Sequence, residues 1–154
     1  MFERQLAVMA TAETILKKAT TIMPLKLDAW LWRLWIHIAL VRSAEAVATA
    51  KLATQVFSSA LERKLVDKMA AAAALTEIAV HLLRAAARDV GGGDLSEAGR
   101  RFYLEATIEI ALQASELDST NPEAAATLVL ATAQVRTYTA PINTVAFPNR
   151  SSCC

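Results

Sequence analysis

From Asp28 to Asp89 the chain contains neither proline nor glycine. A stretch of that length without a helix breaker commits the middle of the chain to α-helix. Alanine, the best helix former, occurs 32 times in 154 residues, against four glycines and four prolines. A β-sandwich or barrel needs a turn signal about every 8–12 residues, and this chain has too few residues of the turn-forming kind. The expected fold is all-α: a bundle of about five helices, with a long central helical hairpin and an extended C-terminal tail.

Local signals place the boundaries. Phe2, Leu6, Met9 and Leu16 keep helical spacing and predict a first helix from Phe2 to Ile22, with Glu13 and Lys17 as an i,i+4 pair. Pro24 follows its end, and Asp28 is expected to cap the second helix. The hairpin is expected to turn at Ser58-Ser59, because Ser59-Ala60-Leu61-Glu62 fits a capping box. Ser43, followed by Glu45, is the second candidate. Gly91-Gly92-Gly93 is the one clear loop, and it lacks the lysine of a phosphate-binding loop. Asp94-Leu95-Ser96-Glu97 opens a helix that runs to about Leu117. Asn121-Pro122-Glu123 is a strong start for the last helix, which runs to about Tyr138. Pro141 and Pro148 keep the rest extended. Residues 1–140 form one helical domain on this reading, and residues 141–154 an extended or disordered tail.

Composition narrows the function classes. With 55% hydrophobic and 20% charged residues, the chain is not intrinsically disordered. Sixteen basic and fifteen acidic residues leave +1, so no whole-chain attraction to nucleic acid or anionic lipid is expected. Glu3 and Arg4 stand where a secretory signal would begin its apolar core. No run of about 18 apolar residues occurs, so no membrane-spanning helix is expected. The two cysteines, Cys153 and Cys154, are adjacent at the end and constrain nothing between them. The ending resembles the doubly prenylated terminus of some small GTPases, but nothing else in the chain does. It reads as a loose tail carrying thiols.

Several stretches are apolar on nearly every side. Met69 to Leu83 has only Thr76, Glu77 and His81 as polar positions, and Ala124 to Val135 carries no charge. Ala29 to Val41 holds three tryptophans and one permanent charge, Arg33. A domain of this size leaves about 30% of its unfolded surface exposed, so burying all three inside one subunit is hard. The simplest resolution is that other chains cover part of it. Trp30, Trp32 and Trp35 stand at i, i+2 and i+5 and do not share one stripe. Some of them must face away from the core, toward a subunit contact, where tryptophan is enriched, in preference to the alternative of a lipid interface. Leu128 and Leu130 are assigned to the same kind of contact.

No catalytic motif stands out, and the chain is not expected to be an enzyme. His37 and His81 are the only histidines, each twenty-two residues from Ser59. With a turn there, they would lie at equal height about 33 Å from it and could ligate a haem iron from two sides. Glu77 and His81 are four apart, whereas a di-iron bundle needs Glu-x-x-His twice. Glu97, Arg101, Glu105 and Glu109 form an i,i+4 ladder, most simply a solvated face. Basic residues are scattered, with Lys17, Lys18, Arg63, Lys64 and Lys68 as the candidates for phosphate contact. A repeating assembly can turn such small patches into a continuous groove.

Residues Glu116 to Ala124 resemble the junction between two tetratricopeptide repeats. No second copy lies at a spacing near 34, so the likeness reads as ordinary helix-loop-helix chemistry. In size, alanine-threonine-valine richness, apolar helix surface and proline-bearing tail, the whole chain resembles the α-helical coat proteins of filamentous archaeal viruses, which wrap DNA with long helices. The resemblance implies a self-assembling structural subunit, a viral coat or capsid protein of a filament or shell, in the virion or an extracellular assembly. Its partners would be copies of itself or a related chain, and nucleic acid. The Asp28 to Asp89 segment and the first helix would carry the contacts. Seven asparagines plus glutamines fit a heat-adapted source. The alternatives are a cytoplasmic haem-binding bundle using His37 and His81, and a helical adaptor with one partner.

Overall fold

A computed structural model describes residues 1–87 and 95–139. Those residues form six α-helices and no strand: α1 (Phe2–Ile22), α2 (Leu27–Ala39), α3 (Ser43–Glu62), α4 (Lys68–Ala87), α5 (Glu97–Leu117) and α6 (Pro122–Thr139). The triple-glycine loop, Asp94 and the proposed tail from Pro141 to Cys154 lie outside the described residues.

The segment expected to be a two-helix hairpin is three helices. Ser59 lies inside α3, so its capping box is not used. The chain turns instead just before Ser43 and again at Arg63 to Asp67. Both helix ends close with the same device. Arg42 N–H donates to His37 C=O at 2.9 Å and Val41 N–H to Ile38 C=O at 3.1 Å. Leu65 N–H donates to Ala60 C=O at 2.9 Å and Lys64 N–H to Leu61 C=O at 3.0 Å. These are Schellman pairs, and they require one left-handed residue each. Val41 (φ 56°) and Lys64 (φ 59°) take that role in place of glycine. Asp67 then accepts from Ala70 N–H at 2.7 Å and caps the start of α4.

Other starts follow local chemistry. Asp28 is not the cap of α2; it sits in the first turn, where its charge favours the helix dipole, and Lys26 is the N-cap. Ser96 Oγ accepts from Gly99 N–H at 3.0 Å and caps α5. Asn121 Oδ1 accepts from the N–H groups of Glu123 (3.0 Å) and Ala124 (3.1 Å), as the Asn-Pro-Glu signal implies. Asn121 also donates to Thr76 Oγ1 at 3.3 Å, tying the start of α6 to α4.

The core forms around α4, which packs against α2, α3, α5 and α6. Its Ala71, Ala72, Ala79 and Ala86 are buried, and small side chains let neighbouring helices approach closely. Leu34, Leu75, Ile78, Leu82, Tyr103, Leu104 and Ile110 fill the space between them. By length and composition α4 could also cross a membrane (mean hydropathy 1.4), but 56% of that window is buried in the bundle. Of the three apolar stretches, then, the one on α4 is the most enclosed, with Met69 and Ala73 left exposed. Those on α2 and α6 lie on outer layers, each with one side uncovered. Among the described residues the body of α1 packs against α2 alone, while its Glu13 side chain reaches Arg42 at the start of α3.

Candidate assembly surface

The three tryptophans divide as their spacing demands. Trp30 is 4% exposed and belongs to the core. Its Nε1–H donates to Pro24 C=O at 2.7 Å, and the Arg33 guanidinium stands 5.6 Å from its ring centroid. That geometry satisfies the indole and removes Trp30 from any contact surface. Trp32 (61% exposed) and Trp35 (44%) face outward. Leu130 is also exposed, at 54%, whereas Leu128 is half-buried against the core.

Trp32 and Trp35 form a ridge between two concavities. On one side is a cleft lined by Asp28, Leu31, the two indoles and His81. On the other is an apolar groove of about 410 Å³ between α1 and α2, lined by Val8, Met9, Ile15, Trp32, Trp35 and Ile36 among others. Among the described residues no charged side chain lines this groove. Val8 (68% exposed) and Ile15 (60%) form its outer lip, and Ile22 continues their row. The helical stripe read from the sequence, Phe2-Leu6-Met9-Leu16, missed this row. The signal was present, since Val8, Ile15 and Ile22 recur every seven residues.

The corner where α1 meets α2 and α3 is polar. Arg42 Nη1 donates to Glu13 Oε2 at 3.3 Å and lies 3.5 Å from Glu45 Oε2. Glu13 thus bridges to Arg42, across helices, where the sequence suggested Lys17. His37 is buried beside them, its Nε2 4.0 Å from Glu13 and its Nδ1 3.5 Å from Glu45. Burial pushes the His37 pKa down, with Arg33 and Arg42 adding to the effect and the two carboxylates opposing it.

Both His37 nitrogens therefore lie near carboxylates, and the buried Nδ1 makes no hydrogen bond. His81 Nδ1 stands 2.8 Å from Glu77 C=O, and the cleft that His81 lines does not include His37. The structure does not bring the two imidazoles to one void. Among the described residues no group of three potential metal ligands occurs. Of the acidic ladder, Arg101 pairs with Glu105 at 2.9 Å, and Glu109 reaches Lys51 of α3 at 3.2 Å. The basic candidates fall in two exposed places. Lys17 and Lys18 are on α1, and Arg63, Lys64 and Lys68 surround the α3–α4 turn.

What this surface offers chemically is apolar contact without a reactive group. Comparison with protein-family models, with curated proteins and with solved structures finds no match for the chain.

Proposed function

We propose that this chain is a structural subunit that assembles with copies of itself into a filament or shell, in the manner of a viral coat protein, and that it performs no catalysis. One observation carries the reading. Large apolar side chains stand outward on two separate outer layers: Val8, Ile15, Trp32 and Trp35 around the α1–α2 groove, and Val129 and Leu130 on α6. A single exposed leucine is ordinary, but rows of exposed apolar residues on two faces mark surfaces meant to be covered. Two such faces per subunit are what a repeating array needs, since each copy then touches at least two neighbours. The basic groups at the α3–α4 turn and on α1 are the ones that would meet a phosphate backbone if the assembly encloses nucleic acid.

Negative-stain electron microscopy of the purified protein, with the 260/280 nm absorbance ratio of the same sample, tests this. Filaments or shells are expected, and a raised ratio would add enclosed nucleic acid. Discrete monomers at every concentration would overturn the reading.

A further inference from the structure

We propose that the α1–α2 groove of one copy receives the outer face of α6 from the next, antiparallel to α1, so that copies join head to tail. This rests on the self-assembly reading above and names the partner at its contact. It begins with α1, which carries two adjacent rows at alternating four- and three-residue spacing. The first, Met9-Glu13-Leu16-Thr20, is turned toward α2 and is buried or half-buried. The second, Val8-Ala12-Ile15-Ala19-Ile22, has the same spacing, and its large members are exposed. Four-three spacing is the pattern by which one helix seats another, knob into hole. The free row therefore calls for a helix.

The groove also specifies which helix. Among the described residues its lining is uncharged, and a charge buried against them would lack a partner. The outer side of α6 meets that demand, because no charge occurs between Glu123 and Arg136. Its outward positions Ala126, Leu130, Ala133 and Thr137 repeat the four-three spacing and are all exposed. Aligned antiparallel, Val8 meets Ala133, Ala12 meets Leu130 and Ile15 meets Ala126. Each layer pairs a large side chain with a small one, which is how facing helices interdigitate. Lys18 then falls beside Glu123, and Arg136 beside Gln5, so no like charges meet.

Among the described residues of one chain α1 and α6 do not touch, α1 packing on α2 and α6 on α4 and α5. The contact is heterologous: each copy offers a groove to one neighbour and an α6 to another, so copies join in series into an open filament or a closed ring.

Single-cysteine variants test the register, in a chain carrying Cys153→Ser and Cys154→Ser. Val8→Cys and Ala133→Cys proteins are mixed, oxidised and run on a non-reducing gel, with sedimentation velocity on the same sample. A mixed cross-linked dimer is expected, at least about tenfold above Val8→Cys alone, because a disulfide forms only between closely apposed positions. Ile15→Cys with Ala126→Cys should behave alike, and Val8→Cys with Ala126→Cys should not cross-link. Large particles with neither expected cross-link would place another occupant in the groove and overturn this contact, leaving assembly itself standing. Dominant Val8–Val8 cross-links would overturn it in favour of an α1–α1 contact. A chain that sediments only as monomer would overturn the assembly reading, and this contact with it.

Discussion

Trp32 and Trp35 meet edge to face, their ring centroids 6.0 Å apart and their planes at 77°, on the outer side of α2. The pair props up a rigid apolar ridge, because each indole limits the rotation of the other. Such a ridge is a suitable anchor for a neighbouring subunit, since aromatic side chains bring large contact area at low entropic cost.

Charges placed on this ridge or on α6 should separate folding from assembly. Trp35→Asp and Leu130→Asp each alter an exposed position, so helicity by circular dichroism should stay near that of the parent. Burying an unpaired carboxylate at a subunit contact costs on the order of 2–5 kcal/mol, enough to abolish particles at ordinary concentration. Unchanged particles in both variants would count against these faces as contacts.

Trp30 should show the opposite behaviour. Trp30→Phe removes the 2.7 Å bond to Pro24 C=O and weakens the stacking with Arg33. Losing one partner of a buried hydrogen bond costs about 1–3 kcal/mol, so thermal unfolding should move to lower temperature. Particle formation below that temperature should persist. A Trp30→Phe chain with the parent's stability would show that the indole bond is not holding the α1–α2 turn.

The two turns inside the breaker-free segment give a further prediction. A left-handed conformation costs a non-glycine residue about 1–2 kcal/mol, and more for a β-branched one. Val41→Gly should relieve that at Val41, with the extra chain entropy of glycine offsetting about 0.5–1 kcal/mol. A net gain of roughly 1 kcal/mol corresponds to a rise of about 2–4 °C in Tm. A lower Tm in the glycine variant would mean that the Val41 side chain contributes more packing than its backbone costs.

The same two residues explain what the sequence concealed. Helix ends are read from glycine and proline, and at Val41 and Lys64 neither is present, so a three-helix segment looked like a hairpin. Ser59 offered a capping pattern, but the Ala53, Phe57 and Ala60 face of α3 is buried, and packing carries the helix past it. Where a cap or proline was present, at Phe2 to Ile22 and at Asn121 to Glu123, the boundaries were legible. The division of the tryptophans was legible only as a statement that they could not all be core. Which one turned inward depended on the Pro24 carbonyl, a tertiary partner that spacing does not reveal.

The corner joining α1 to α2 and α3 should respond to acid through His37. Its imidazole is buried, and burial holds its folded-state pKa below the ordinary value of 6.5. The unfolded chain therefore takes up a proton at a higher pH than the folded one does. Stability from this site is complete above about pH 6.5 and is lost as pH falls through the lower folded value. A proton on His37 would be attracted by Glu13 and Glu45 and repelled by Arg33 and Arg42. The loss comes from burying the charged imidazole, not from breaking the Glu13–Arg42 pair. Tm measured between pH 7.5 and 5, above the carboxylate range of about 4, should fall with acid in the parent. In His37→Gln most of that slope should disappear, since glutamine does not titrate. Equal slopes in the two proteins would show that the acid response resides elsewhere.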